Sequence, residues 1–269
     1  MTVKFWGVRG GIPVPGSKTM KTGGNTMCID IADRESQHVV LDAGTGLIML
    51  GKQLLRGPCG KGQGEIHIYL THTHWDHIQG FPYFVPAFIP GNKIHFWGRS
   101  VSDRSLHALL EGQMKAEYNP LFSLLNMGST IDVKDIGRDP VFFAGFTMTT
   151  AILPHRGKAS LGYRIADGVR TLVFMGDVDH EGRLYDAIVG FAEKADVLIH
   201  DAGAPAGVGE SEHIAVALAK KAGAKRLIFT HYGPDFADDD VAGLVESARK
   251  YAGSQVVVDG ATEGFEITI

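Results

Sequence analysis

His72-Thr73-His74-Trp75-Asp76-His77 stands directly after the apolar run Ile66–Leu70. These histidines and the aspartate converge only if a turn folds them together, and a strand-to-helix loop does that. Neutral imidazole and carboxylate are the ligands that borderline divalent metals take. A polar, histidine-rich loop without a ligand role is the plainer reading, but later stretches of the chain argue against it. Thr147–Leu153 runs into Pro154-His155, Leu172–Met175 into Gly176-Asp177, and Leu227–Phe229 into Thr230-His231. In α/β sheets ligands bind at the carboxyl ends of strands. Residues far apart in sequence could therefore meet at one edge.

Working outward, short apolar and β-branched runs bounded by glycine predict strands. They cover Val3–Val8, Met27–Ile31, Val39–Leu41, Ile66–Leu70, Ile94–Trp97, Phe142–Leu153, Leu161–Ile165, Leu172–Met175, Val197–Ile199, Leu227–Phe229, Val256–Val258 and Phe265–Ile269. Helical spacing appears between them. Leu106, Leu109, Leu110 and Met114 share a face, as do Ala215, Leu218, Ala219 and Ala222, with Gly223 placed as a stop. Val241, Leu244, Val245, Ala248 and Ala252 form a third stripe; Asp238, Asp239 and Asp240 suit its positive end, and Gly253 closes it. So many strands exceed one open sheet, which predicts an α/β fold of two sheets packed face to face with helices outside.

The chain has 269 residues, 44% hydrophobic and 21% charged, which excludes a disordered or fibrous class. No linker, charge block or short repeat divides it, so residues 1–269 read as one domain, with a helical insert at about 99–127. The net charge of -4 gives no electrostatic footprint for a nucleic-acid or anionic-membrane binder. Glycine is abundant, 35 residues against 11 prolines, which points to many tight turns. No apolar run approaches the ~18 residues a membrane span needs. The two cysteines, Cys28 and Cys59, have no CxxC spacing and exclude a disulfide framework. With no secretory signal visible at the N-terminus, a cytoplasmic setting is the expectation.

On these residues the chain resembles the metallo-β-lactamase-fold hydrolases, whose His-x-His-x-Asp-His signature stands at His72 to His77. The later positions His155, Asp177 and His231 are similar to the family's remaining ligands. Trp6-Gly7-Val8-Arg9-Gly10, Gly23-Gly24-Asn25-Thr26, Leu41-Asp42-Ala43-Gly44-Thr45-Gly46 and Gly80-Phe81-Pro82 are similar to its phosphodiesterase-like branch. Ribonuclease Z and cyclic-phosphate phosphodiesterases belong there. The resemblance implies a four-layered αββα sandwich with two divalent metal ions at one edge. It assigns His72, His74 and His155 to one ion, Asp76, His77 and His231 to the other, and Asp177 between them. Zinc suits the imidazole-rich set, and manganese or iron suits the carboxylates nearly as well. The cysteine ligand common in the β-lactamases proper has no counterpart here. The redox branch carries glutamate where His74 stands, so oxygen chemistry is not expected.

The same resemblance offers further site residues. His213, in Glu210-Ser211-Glu212-His213 at the start of a helix expected over Glu212–Ala222, resembles a histidine that protonates the leaving oxygen. The plainer reading is a surface histidine, and Glu-His-Ile departs from the family's Gly-His-Ser. Asp42 resembles an aspartate that fixes the imidazoles from below, against a simple turn residue. Asp201 is a candidate for the same edge. Arg9 and Asn25 lie in glycine loops that approach the metals in the family, where a guanidinium could hold a phosphate oxygen; the alternative for Arg9 is a structural role. The aromatic loop Phe81–Pro90 could line a pocket, meet a second subunit in a homodimer, or pack under the insert.

The expected activity is hydrolysis of a small or cyclic phosphodiester by a metal-bridging hydroxide, with Asp76 and His213 in the catalytic machinery. A tRNA substrate is not expected, since the chain is acidic and lacks a long basic arm. The alternatives are a thioester or lactone hydrolase of the glyoxalase II type, and a non-catalytic metal-binding sensor.

Overall fold

The computed structural model describes residues 1–32, 38–100, 104–119, 123–137, 139–143, 145–156, 158–179, 185–203 and 211–269. Its first half comprises β1 (Thr2–Gly7), β2 (Cys28–Ala32), β3 (His38–Leu41), α1 (Gly46–Leu54), β4 (Glu65–Tyr69), the single turn α2 (Trp75–Ile78), β5 (Lys93–Gly98), α3 (Leu106–Gln113) and β6 (Thr130–Asp135). The second half comprises β7 (Val141–Phe143), β8 (Phe146–His155), β9 (Lys158–Ala166), β10 (Thr171–Met175), α4 (Tyr185–Phe191), β11 (Val197–Asp201), α5 (Ser211–Ala222), β12 (Arg226–Thr230), α6 (Asp238–Ala252), β13 (Val257–Gly260) and β14 (Glu266–Thr268). Two seven-stranded sheets result, ordered β14-β1-β2-β3-β4-β5-β6 and β13-β12-β11-β10-β9-β8-β7.

Strand parity sorts the layers, because alternate side chains leave opposite faces of a sheet. On β4, Tyr69 points between the sheets with Val3, Phe5, Ile29 and Leu41, against Tyr163, Leu172 and Phe174 of the second sheet. Ile66 and Ile68 point the other way, under Leu47 and Leu50 of α1 and Leu106 and Leu110 of α3. Ala215, Ala219, Leu244 and Ala248 close the second sheet from outside through α5 and α6. The order helix, sheet, sheet, helix is the αββα sandwich. Burial of a single Leu, Ile or Phe side chain contributes roughly 1.5–3 kcal/mol. Parity thus determines the faces without further specification.

Register brings the strand ends level. Met175 pairs with His200, and Asp201 with Thr230, in the parallel strands β10, β11 and β12. Leu41 pairs with Tyr69, and Tyr69 with Trp97, in the first sheet. The residues just beyond these ends therefore face each other across one edge of the sandwich.

Several expectations change. Phe142–Leu153 is not one strand: Gly145 adopts a φ of +73° and folds it into the β7–β8 hairpin. β6 was not expected, because Thr130–Asp135 is a half-exposed edge strand without an apolar run. α1 was not expected either. The insert contributes α3 and packs Leu106, Leu110 and Met114 on the outer face of the first sheet; its residues 101–103 and 120–122 lie outside the described residues. The aromatic loop is largely core: Phe81 and Phe84 are fully buried in that same layer. Among the described residues no helix is long and apolar enough to cross a membrane.

Candidate metal centre

The edge where these strand ends meet gathers His72, His74, Asp76, His77, His155, Asp177 and His231. His72 and His74 leave an extended stretch, with His74 itself at a ψ of 154°. The single turn α2 then swings Asp76 and His77 back toward them. His155 ends β8, Asp177 follows β10, and His231 follows β12. Two of the chain's positive-φ non-glycine residues are here, Asp42 at +62° and His231 at +59°. Left-handed backbone is several-fold more accessible to Asp and His than to most side chains.

The donor atoms form overlapping groups. Ligand atoms of His72, His74, His155 and Asp177 all lie within 4.8 Å of one another, as do those of Asp76, His77 and His231, and of Asp177, Asp201 and His231. His72 Nε2 is 2.7 Å from His74 Nδ1. Asp177 stands between the groups. Its Oδ2 is 3.2 Å from His72 Nε2, 3.3 Å from His155 Nε2 and 3.6 Å from His77 Nε2, while Oδ1 is 2.9 Å from His231 Nδ1. Asp76 Oδ2 is 3.2 Å from His77 Nε2 and 3.1 Å from His231 Nε2.

The surroundings fix which nitrogen of each ring faces inward. Asp42 Oδ2 lies 2.8 Å from His77 Nδ1, so that nitrogen donates to the carboxylate and Nε2 is the atom turned toward the cluster. Thr71 joins the same network: its amide donates to Asp42 Oδ1 at 2.8 Å, and its hydroxyl is 3.0 Å from both Asp42 Oδ1 and His72 Nδ1. The hydroxyl can donate to Asp42 while accepting from His72, which leaves His72 Nε2 unprotonated. Ser160 Oγ donates to the backbone oxygen of Asp177 at 2.6 Å. Gly11 N–H donates to Asp76 Oδ2 at 2.7 Å.

Charge follows from this packing. Burial penalises ionised Asp76, but His77 and His231 outweigh it and hold its carboxyl far below the usual range. Burial likewise opposes ionised Asp177, and His231, His72 and His77 overcome it. Burial together with His77 lowers His72 to about 4, keeping it neutral. His74 is lowered by burial and by His155. His77 and His231 are pulled the other way: burial opposes their charge, but Asp42 and Asp76, and Asp177 and Asp201 respectively, raise them well above the ordinary value, so without a cation their rings hold a proton that a bound metal would displace. A divalent cation suits such a set: buried His77 Nε2 and His155 Nε2 face the Asp76 and Asp177 carboxylates at 3.2 and 3.3 Å without an aligned hydrogen bond, where buried nitrogens almost always have one. Ionised carboxylates and inward imidazole lone pairs are the donor chemistry zinc takes.

Other expected residues go elsewhere. Asp201 reaches the edge, with Oδ1 3.4 Å from His231 Nδ1 and 2.7 Å from the amide of Gly203. The Arg9 guanidinium is enclosed within the protein. It is fully buried, and Nε and Nη1 donate to Gly23 O and Phe236 O, both at 2.7 Å. Asn25 donates from its backbone amide and Nδ2 to the Glu263 carboxylate, at 2.5 and 3.0 Å. Both residues tie the N-terminal loops to the C-terminal half. His213 is not among the clustered donors; its ring stacks on Tyr251 of α6 at 4.4 Å. Glu210 lies outside the described residues.

Sequence reasoning missed Thr71, whose signal was a hydroxyl one residue before the motif. It also missed Gly10, where a Cβ would stand 2.5 Å from His231 Cε1. A further group, Glu65, His67 and His95, lies toward the opposite end of β4 and β5. There Trp97 Nε1 donates to His67 Nδ1 at 3.2 Å. The His67 proton is therefore on Nε2, the atom facing Glu65, and that nitrogen has no lone pair for a metal.

The beta-lactamase superfamily domain matches this chain over residues 37–232, which include the whole His72–His77 stretch and His231. The chain belongs to that superfamily, and its fold is the metallo-β-lactamase sandwich. Among solved structures it is similar to the metallo-β-lactamase-fold protein YhfI from Bacillus subtilis, at 21% identity and a TM-score of 0.71 over 99% of this chain and 98% of that one. It is also similar to the short form of human tRNase Z, at 20% identity and a TM-score of 0.66 over 100% and 99% of the two chains. A diphosphatase of the PhnP family matches at 16% identity and a TM-score of 0.67 over 100% and 97%. A comparison with curated protein sequences returns no match.

Proposed function

We propose that the chain is a metal-dependent hydrolase with a dinuclear centre, acting on a small or cyclic phosphodiester. The observation that carries this reading is the position of Asp177, with one carboxylate oxygen toward His72 and His155 and the other toward His231. A carboxylate so placed would bridge two cations, the first held by His72, His74 and His155, the second by Asp76, His77 and His231. Divalent cations held there supply Lewis acidity, lowering the pKa of water and neutralising charge that builds on the ester oxygens. The ions are zinc, with manganese or iron as substitutes.

The chain's own residues do the rest. Asp42 and Thr71 hold the outer nitrogens of His77 and His72, so that their inner nitrogens face the cation sites. Gly11 N–H and His231 orient Asp76, and Asp201 steadies His231. The phosphodiester reading draws on the likeness to tRNase Z and to the PhnP-family diphosphatase, and on the N-terminal glycine motifs. Folded tRNA is not the proposed substrate: the chain is acidic, and the cavity beside the cluster is only about 350 Å³. Both cysteines are free and buried, in keeping with a cytoplasmic setting.

One observation favours a second reading. His213 stacks against Tyr251 and is not among the clustered donors; thioester or lactone hydrolysis depends less on a leaving-group proton donor than expulsion of an alkoxide does. Turnover of bis(p-nitrophenyl) phosphate by zinc- or manganese-loaded protein tests the choice, with Asp76→Ala alongside. Phosphodiester turnover lost in Asp76→Ala supports the first reading. Inert phosphodiester with rapid thioester cleavage transfers the assignment to carbon esters.

A further inference from the structure

Beside the His72, His74 and His155 side of the cluster lies a cavity of about 350 Å³. That is the small end of the range for ligand pockets, enough for a body about the size of a mononucleotide. Its lining is divided by chemistry. His74 and His155 line it from the cluster, Ala159 and Leu161 add apolar surface, and Arg99 and Ser100 complete the lining with polar groups. Among the described residues that line it, Arg99 is the only permanent cation.

Arg99 follows directly on β5, so its backbone starts from the sheet edge that carries the cluster. The next residue is anchored: Ser100 N and Oγ donate to Asp135 Oδ1 at 2.8 and 2.7 Å, at the end of β6. Arg99 itself makes no ion pair among the described residues, although its neighbours in the first sheet, Lys134 and His95, share Asp132. An exposed guanidinium lining a cavity beside the cluster, with no acidic partner among the described residues, is available to a ligand. Its planar fork matches a phosphate or carboxylate.

We infer that Arg99 binds an anionic group of the substrate remote from the bond that is cleaved. The natural substrate is then a small phosphodiester bearing a second phosphate or carboxylate, its apolar body lying over Ala159 and Leu161. This rests on the reading of the cluster as a phosphodiester centre. Arg99 is a specificity residue in this account, acting on binding more than on the chemical step.

The test compares two substrates with the same scissile bond and leaving group, thymidine 5′-(p-nitrophenyl phosphate) and its 3′-phosphorylated counterpart. Zinc-loaded protein is expected to favour the second by about 10-fold or more in kcat/KM, mostly through KM, in line with one charge-assisted contact. In Arg99→Met the ratio falls to about one, and Arg99→Lys recovers part of it. A ratio unchanged by Arg99→Met overturns the inference, as does an equal loss on both substrates, which would put Arg99 on the scissile phosphate. Calorimetric binding of thymidine 3′,5′-bisphosphate against thymidine 5′-phosphate gives a readout independent of turnover. An Arg99-dependent preference there, with neither ester hydrolysed, upholds the anion site and sinks the phosphodiesterase reading alone. Absence of that preference overturns the anion site itself.

Discussion

Asp42 Oδ2 lies 2.8 Å from His77 Nδ1, and neither side chain has any exposed surface. A carboxylate buried this deeply is costly unless its oxygens are occupied, and here His77 and Thr71 occupy them. The pair turns His77 Nε2 toward Asp76 and Asp177. Asp42→Asn keeps a side chain that tolerates the φ of +62°, but removes the charge and replaces one of the two acceptor oxygens with a donating amide. It is expected to lower zinc affinity about 10–100-fold, measured by competition with a chromophoric chelator. Unchanged affinity would show that His77 needs no help from Asp42.

Gly10 faces His231 so closely that a Cβ would meet three ring atoms at 2.5 to 2.7 Å. Gly10→Ala is expected to displace the His231 ring while the fold persists, because the sheets do not depend on that contact. Turnover should fall at least about 10-fold, equivalent to ~1.4 kcal/mol in the barrier, with circular dichroism unchanged. A fully active Gly10→Ala variant would remove His231 from the working centre.

Arg9 joins the N-terminal loop to Phe236, a residue 227 positions away. Removing its guanidinium strands two carbonyl acceptors, each worth about 1–3 kcal/mol when buried and unpaired. Arg9→Met should therefore destabilise the protein by roughly 2–4 kcal/mol in urea denaturation. A rise in KM for phosphodiesters at unaltered stability would instead make Arg9 a substrate-binding residue.

What the sequence made legible, and what it hid, follows from how local each signal was. His72–His77 is contiguous, and His155, Asp177 and His231 each close an apolar strand, so their meeting at one edge needs only the sheet order. α6 carries its own punctuation in Asp238–Asp240 and Gly253. β6 was hidden because an edge strand half open to water, with Asp132, Lys134 and Asp135, lacks an apolar signature. The sequence left the role of Arg9 open because its partners, Gly23 and Phe236, are fixed by tertiary packing. The start of α5 was visible, but the stacking of His213 on Tyr251 belongs to helix–helix packing that no short window contains. Thr71 and Gly10 act through close approach, which leaves no mark in composition.

His67 predicts an acid sensitivity separate from the metal edge. Burial, with His95 beside it, lowers its pKa to about 4, whereas an unfolded histidine titrates near ~6.5. Between these values the unfolded chain binds more protons, so stability rises with pH across that window and is lost as the pH falls. His67→Asn retains an acceptor for Trp97 Nε1 and abolishes the titration. Denaturation at pH 7 and pH 5 should show a larger loss in the parent than in His67→Asn. Equal losses would place the acid-sensitive group elsewhere.

The bridging position of Asp177 is the centre of the account, and metal counting on chromatographically purified protein tests it most directly. Parent protein reconstituted with zinc is predicted to hold about two ions per chain, and Asp177→Ala at most about one, with bis(p-nitrophenyl) phosphate turnover lost in the same sample. An Asp177→Ala protein that holds as much zinc as the parent and turns over as fast would contradict it.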